Sequence, residues 1–366
     1  MGNLKKISLI IPLYNVEKYV FRAAESIKSQ AFDGLEIVLV DDGSTDKSLE
    51  TCESLLAGLD VKSVRQKNAG PGGARNTGIL NATGEYIMFL DSDDFLMPNA
   101  FSSILSLLEN ESPDVLFGRY HLWTKQKGLI HAKQVDPCST NELKGRIEYI
   151  LCSQPEATWC PVRYICRCKH LLEHSVFFET NVLCEDVKWT IDLLMAIENN
   201  NGKISFLAEP FYVYFHRRPG STMTTTSVKR LLDLNNIVSE LLEVFKERHS
   251  LYRVLVFEHF FYINEYCLFG RSDRKQIFES YQKLLPKYHH SGSFPLRVAG
   301  RMQNRFLFFI LSLGLYSVKM LRRALLYVKW AIKGRPRVEV PTYNSLLIEV
   351  VETESPIVGT KTSNVV

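Results

Sequence analysis

Between residues 6 and 118 the chain alternates short, continuous apolar runs with helical patterns, an order that few folds accommodate. The runs Lys6–Pro12, Glu36–Asp41, Val61–Gln66, Tyr86–Leu90 and Asp114–Gly118 have strand character. Val16–Gln30, Asp46–Ala57, Gly72–Asn81 and Pro98–Glu109, lying between them, have helical spacing. Asn15 is placed to cap the first of these helices and Pro98 to start the last. Strands apolar on both sides and separated by helices predict an α/β fold with a mostly parallel sheet covered on both faces. In such sheets, ligands bind beyond the carboxyl ends of the strands.

Polar residues gather at those ends. Pro12-Leu13-Tyr14-Asn15 follows the first strand, Asp41-Asp42-Gly43-Ser44-Thr45-Asp46 the second, and Asp91-Ser92-Asp93-Asp94 the fourth. Three clusters on one sheet edge predict a binding site. Carboxylates crowded as Asp91-x-Asp93 beside Asp94 cannot all lie buried and ionised without a cation. Hard divalent ions such as Mn²⁺ or Mg²⁺ take carboxylate oxygens and leave positions open for phosphate. A solvated turn capping the next helix would show the same residues. A carboxylate at Asp41 or Asp42 can accept a hydrogen bond from a base N–H. The loop Asn68-Ala69-Gly70-Pro71-Gly72-Gly73-Ala74-Arg75-Asn76 permits close backbone approach and puts Arg75 on the first turns of a helix, within reach of a nucleotide. It is neither a GxGxxG fingerprint nor a Walker A loop.

The remainder of the chain is patterned differently. Residues 119–225 are aromatic-rich and irregular, and residues 228–292 are helical with a break at Gly270-Arg271-Ser272. Residues 297–333 read as one long basic helix, and the last thirty residues as a loosely held tail. The formal net charge of +4 conceals an asymmetry: residues 297–337 hold ten basic residues and no acid, leaving 34 basic against 40 acidic residues elsewhere, a balance of −6. On a helical wheel, eight of those cations share a stripe roughly 120° wide, opposite Phe306, Phe309, Leu313, Leu321 and Leu325. The longest uncharged run there, Phe306–Val318, is 13 residues, short of the ~20 that span a bilayer. The pattern fits a helix lying in an anionic membrane interface; packing on the protein's own core is the competing reading. Nothing else in the chain supports nucleic-acid binding. The 46% hydrophobic and 23% charged content excludes a disordered or multi-pass membrane protein. The eight cysteines, in a chain with no visible export signal, are expected to be reduced. Cys166-x-Cys168-x-His170 lacks the CxxC spacing of a structural zinc knuckle.

Taken together and in order, IIPLYN, VLVDDGSTD, NAGPGGARNTG and GEYIMFLDSDD resemble the catalytic domain of glycosyltransferase family 2, over roughly residues 5–222. Leu183-Cys184-Glu185-Asp186 resembles the acidic pair of that family's acceptor side. Tyr212–Ser221 resembles its closing strand and arginine-rich loop. The resemblance implies a GT-A fold (Rossmann-like) followed by a C-terminal helical region, and inverting transfer of a sugar from a nucleotide-sugar, a UDP-sugar, to a saccharide or lipid-linked saccharide acceptor. It implies that Pro12, Leu13 and Tyr14 line the nucleotide pocket and that Asp42, or else Asp41, pairs with the base. By the same resemblance Arg75 contacts the nucleoside side, Asp91 and Ser92 lie near ribose and phosphates, and Asp93 with Asp91 binds Mn²⁺ or Mg²⁺. His216 is then a further metal or diphosphate contact, Arg217 and Arg218 meet the diphosphate, and Asp186 is the catalytic base. The Gln-x-x-Arg-Trp motif of the processive members is absent, which favours single-sugar transfer.

These features divide the chain into a nucleotide-sugar half (1–118), an acceptor half (119–225), a helical region (226–338) and a tail (339–366). The expectation is a surface-polysaccharide enzyme, cytoplasmic and peripheral on the inner face of the cell membrane. A sugar-nucleotidyltransferase would need a glycine-rich, basic signature after the first strand, where PLYNVEKY stands. A non-catalytic, nucleotide-sugar-binding scaffold subunit is disfavoured because all the expected acidic positions are filled.

Overall fold

The computed structural model describes residues 7–124, 128–130, 159–216, 227–248 and 268–284, with a few isolated positions between them. Residues 297–333, the tail, Arg217 and Arg218 lie outside these, as does the side chain of His216.

Four strands build the expected parallel block. β1 (Ile7–Leu13) lies between β2 (Leu35–Asp41) and β4 (Tyr86–Phe89), and β3 (Val61–Arg65) forms the edge beyond β2. Every residue of β2 and β4 is buried, as continuous apolar runs require, whereas edge strand β3 exposes Lys62, Ser63 and Arg65. Helix α1 (Val20–Lys28) packs on α2 (Ser48–Leu55), and α3 (Gly70–Asn81) lies across β1 and β2.

Beyond β4 the sheet is mixed, not mostly parallel. The short strand β8 (Tyr164–Arg167) inserts antiparallel between β4 and β6 (Val115–Thr124). β6 runs parallel to the long closing strand β9 (Ile204–His216), whose far side takes β5 (Phe95–Leu96) antiparallel. β7 (Gly128–Ile130) hairpins onto β6. β8 has only four residues, too few to show a period in the sequence. Helix α4 (Ala100–Glu111) covers β9. A short helix α5 (Cys168–Glu173) follows β8, and α6 (Glu185–Asn199) carries the acidic pair. Two helices, α7 (Val228–Val244) and α8 (Arg271–Leu284), pack together, and α8 starts at the expected break.

One local expectation changes. Asn15 does not cap a helix: α1 begins at Val20, and Asn15 adopts a left-handed φ of 52°. Its Oδ1 accepts from the Thr45 N–H (2.8 Å) and hydroxyl (3.1 Å), tying the loop after β1 to the loop after β2. Cys166 is a packing cysteine in the sheet, its thiol pushed up by burial.

The approach of α3 to β1 depends on Gly78, where an added Cβ would stand 2.2 Å from Ile10 Cγ2. Gly78→Ala should therefore destabilise the domain by about 1–3 kcal/mol, the usual range for overpacking, despite alanine's better helix propensity. The midpoint of urea unfolding is the measurement, and an unchanged or raised midpoint would show that the two elements can separate freely.

Candidate active site

The loops after β1, β2 and β4 meet at one edge of the sheet, as the topology requires. Asn15, Val16 and Glu17 take backbone hydrogen bonds from their N–H groups to Ser44 Oγ (3.1 Å), Ser48 Oγ (2.7 Å) and Asp46 Oδ2 (3.1 Å). Tyr14 projects from this seam, half-exposed. Leu13, expected to line the pocket, is a core side chain with no exposure, and its carbonyl is taken by the Asp42 N–H (2.9 Å). Pro12 is half-buried beside it.

The two aspartates ending β2 differ in what they have left to offer. Asp41 Oδ1 accepts from the Ser44 N–H (2.9 Å) and its Oδ2 faces Arg65 Nε at 3.4 Å. Asp42 accepts from Gln66 Nε2 (2.7 Å) and the Ala69 N–H (2.8 Å) through Oδ1 alone. Oδ2 of Asp42 is therefore the carboxylate oxygen at this strand end still available to a ligand.

The glycine-rich loop docks the acidic pair. At Gly72 a Cβ would stand 2.8 Å from the Glu179 carbonyl and 2.9 Å from Glu185 Cγ, so this residue is glycine to admit the 178–185 segment. Asn76 clamps the same segment twice: its Nδ2 donates to the Phe178 carbonyl and its Oδ1 accepts from the Phe178 N–H, both at 2.8 Å. Phe178 stacks on Trp189 of α6 (4.6 Å, 4°), and Phe89 meets both edge-on.

Arg75, expected at the nucleoside, turns instead to carboxylates. Nη2 donates to Asp91 Oδ1 at 2.8 Å and Nη1 to Glu185 Oε1 at 3.0 Å, with the guanidinium over the Phe178 ring at 5.4 Å. Burial disfavours its charge, but Asp91 and Glu185 outweigh that and hold its pKa above the ordinary arginine value. One cation thus ties the acidic turn after β4 to the start of α6.

Asp186, next to Glu185 and partly exposed, receives the Val187 N–H on Oδ1 at 3.0 Å. Burial and the neighbouring Glu185 push its carboxyl up to about 7, Arg75 only partly opposing them. The residue before the pair, Cys184, takes a left-handed φ of 65°, an uncommon conformation for a non-glycine residue that functional sites concentrate. Helix α7 braces this bend: Asp233 Oδ2 accepts from the Leu183 N–H (2.9 Å), and Lys229 Nζ donates to the Asn181 carbonyl (2.6 Å).

In the acidic turn, Asp91 and Asp93 are half-buried, while Ser92 and Asp94 are buried. Asp94, unexpected from sequence as a structural residue, pins β9: it accepts from the Tyr212 hydroxyl (2.5 Å) and the Phe215 N–H (2.7 Å). Burial and then Asp93 and Asp91 push its carboxyl well above the usual range, against those two donors. The Tyr212 hydroxyl also accepts from the Asp91 N–H at 3.2 Å. Burial, and then the charges of Asp91 and Asp94, raise the pKa values of Tyr214 and Cys160, with Asp186 acting on Cys160 as well.

Comparison with known proteins agrees with this arrangement. Residues 8–161 match the profile of Glycosyl transferase family 2, and the fold is that of the GT-A class. This part of the chain is a glycosyltransferase family 2 domain. Glycosyltransferase GlyA of Streptococcus pneumoniae is 36% identical over 128 residues, covering 34% of this chain and 18% of that protein. The poly(ribitol-phosphate) beta-N-acetylglucosaminyltransferase TarS of Staphylococcus aureus is 28% identical over 259 residues, covering 67% of this chain and 43% of TarS. The chain thus spans less than half of these relatives. The crystal structure of an S. aureus TarS fragment in complex with UDP-GlcNAc superposes with a TM-score of 0.62 at 22% identity, over 86% of this chain and 92% of that one.

Removing the Arg75 cation strands two carboxylates. Arg75→Met should lower folding stability by about 3–5 kcal/mol, the range for breaking a buried ion pair. Thermal unfolding followed by circular dichroism is the check, and Arg75→Met with Glu185→Gln should recover part of the loss. A melting curve unmoved by Arg75→Met would mean that the triad carries no net coupling.

Proposed function

We propose that the protein is a metal-dependent inverting glycosyltransferase that moves a single sugar from a UDP-sugar to a saccharide or lipid-linked saccharide of a surface polysaccharide. The observation that carries this reading is Asp186, a carboxyl pushed up to about 7 and joined through Glu185 and Arg75 to the Asp91-Ser92-Asp93 turn. UDP-GlcNAc, bound in the TarS structure, is the first donor to try.

Inversion needs an acceptor hydroxyl to attack the anomeric carbon from the face opposite the nucleotide. Asp186 takes that hydroxyl proton; a base with a pKa near the working pH balances availability against driving force. Asp42 Oδ2 accepts from the base and Tyr14 offers it a half-exposed ring.

The residues at the turn suit a hard divalent ion. Asp91 Oδ1 is held by Arg75, its Oδ2 and the half-buried carboxylate of Asp93 lie at the recess, and Mn²⁺ or Mg²⁺ sites of this kind take one or two carboxylates plus substrate phosphates. Asp93 and Asp91 would hold the ion, which when bound neutralises charge on the departing diphosphate. Ser92 lies between them; His216, the last residue of β9, is proposed as a further metal or diphosphate contact, and Arg217 and Arg218, which follow it in sequence, as diphosphate contacts.

For membrane association the support is the basic stripe of residues 297–333. Among the described residues no helix is long and apolar enough to cross a membrane. Reversing Arg322, Arg323, Lys329 and Lys333 to Glu should release the protein from anionic liposomes while leaving donor turnover on a soluble acceptor. Co-sedimentation equal to wild type would place the stripe against the protein itself.

Transfer from UDP-GlcNAc, or from whichever nucleotide-sugar a panel selects, should rise with pH through about 7 and level off above it. Protonated Asp186 cannot accept a proton, so the acid limb is the inactive one. Asp186→Asn should lower turnover by about 10²–10⁴ with little change in donor affinity and abolish that limb. A variant with a near-normal rate and the same pH profile would assign the proton to another group. Asp93→Ala should remove the Mn²⁺-dependent part of nucleotide binding, and persistence of that component in calorimetry would move the metal elsewhere.

A further inference from the structure

Arg22 belongs to none of the sequence motifs. It sits on α1, only 7% exposed, with its guanidinium carbon 4.1 Å above the centre of the Phe215 ring. Trp123 is stacked on the same ring at 4.2 Å and 5°, so Phe215 is held between a cation on one face and an indole on the other. Nε and Nη2 of Arg22 are buried without a hydrogen-bond partner. Burial lowers its pKa, and the charges that oppose this are first Asp93 and then Asp94. A desolvated guanidinium in such a place is retained by the ring quadrupole and by its counter-charges, not by hydrogen bonds.

We propose that Arg22 is a positioning residue of the donor site, fixing the Asp91–Asp94 turn and the end of β9 relative to each other. Its grip on Phe215 reaches the turn by a short route. The Phe215 N–H donates to Asp94 Oδ1 (2.7 Å), Asp94 Oδ2 accepts from the Tyr212 hydroxyl (2.5 Å), and that hydroxyl accepts from the Asp91 N–H (3.2 Å). Asp93 and then Asp94 also act on the Arg22 charge, so the guanidinium eases the repulsion between these two neighbouring carboxylates. The inference rests on the reading of Asp91 and Asp93 as the diphosphate and metal side of the site. A residue that merely filled space under Phe215 would be replaced well by methionine and poorly by lysine; a positioning cation gives the opposite order.

The test titrates UDP with Mn²⁺ into wild type, Arg22→Met and Arg22→Lys by calorimetry, with thermal unfolding measured alongside. Arg22→Met should bind UDP about tenfold or more weakly, the worth of a desolvated cation over an aromatic ring. Arg22→Lys should recover part of that loss, and the differences should shrink when Mn²⁺ is omitted. Affinity within twofold of wild type in a folded Arg22→Met overturns the proposal. Should that variant fail to fold, Arg22→Lys and Phe215→Leu decide. Phe215→Leu keeps the backbone donor to Asp94 but removes the aromatic face, and unchanged affinity in both overturns the proposal equally. Wild type that binds none of UDP, GDP or ADP overturns the donor-site reading and this inference with it. Wild-type binding with unaffected variants overturns this inference alone.

Discussion

One guanidinium holds the site together. Arg75 reaches Asp91 with one terminal nitrogen and Glu185 with the other, across an interval of 110 residues between Arg75 and Glu185. Buried ion pairs are poor sources of stability, because desolvating the charges offsets most of their attraction. What this one supplies is registry. Glu185 adjoins Asp186, and Asp91 opens the turn that contains Asp93, so the orientation of the guanidinium fixes the spacing between the carboxyl proposed to take a proton and the carboxylates proposed to hold a metal. The rest of the neighbourhood supports that cation: Phe178 lies beneath it, Asn76 clamps Phe178, and Gly72 leaves room for Glu185.

Much of this was legible in the sequence, and the limits have physical causes. β1, β2 and β4 of the parallel block are buried almost throughout, so their composition alone marks them, and the polar clusters must then fall at their carboxyl ends. The mixed half of the sheet was not legible. β8 is four residues long, and β9 carries Glu209 and Pro210 where its register with β6 shifts, so neither shows a clean period. Residue types told where chemistry belongs but not how side chains divide the work. Asp41 and Asp42 look alike in sequence, yet Asp41 has both oxygens engaged while Asp42 uses one. Arg75 follows glycines, where an arginine contacting the nucleoside side is expected, yet it serves carboxylates. Asp94 passes for a third metal ligand until its two oxygens are seen to hold Tyr212 and Phe215. Arg22 gave no signal, because one arginine on an amphipathic helix is ordinarily a surface residue.

The bend before α6 is where the two ends of the chain come to bear on one position. Left-handed Asn181 and Cys184 are conformations that surroundings must impose. They are imposed from two directions: by α3 through Asn76 and Arg75, and by α7 through Asp233 and Lys229. Helix α7 therefore acts on the site through this bend. The first turn of α6 adds its own field, since unpaired N–H groups at a helix start favour ionised acids. That field and Arg75 pull Asp186 down while burial and Glu185 push it up, and the outcome lies near neutrality.

The charge balance of the recess bears on why a metal belongs in the proposed reaction. Among the described side chains, Asp91, Asp93, Asp94, Glu185 and Asp186 crowd one region, and Arg75 and Arg22 are the buried cations that face them. Burial and mutual repulsion raise the pKa values of Asp94 and Asp186, yet the carboxylates of this region outnumber its buried cations. A nucleoside diphosphate brings further negative charge, and in a partly desolvated recess two such groups a few ångströms apart repel by several kcal/mol. Arg75 cannot relieve this, because its terminal nitrogens are already committed to Asp91 and Glu185, and Arg22 is buried against the Phe215 ring. In the proposed reaction a divalent ion held by Asp91 and Asp93 would offset that repulsion, and the acidity that repels a bare diphosphate would then favour the metal–nucleotide pair.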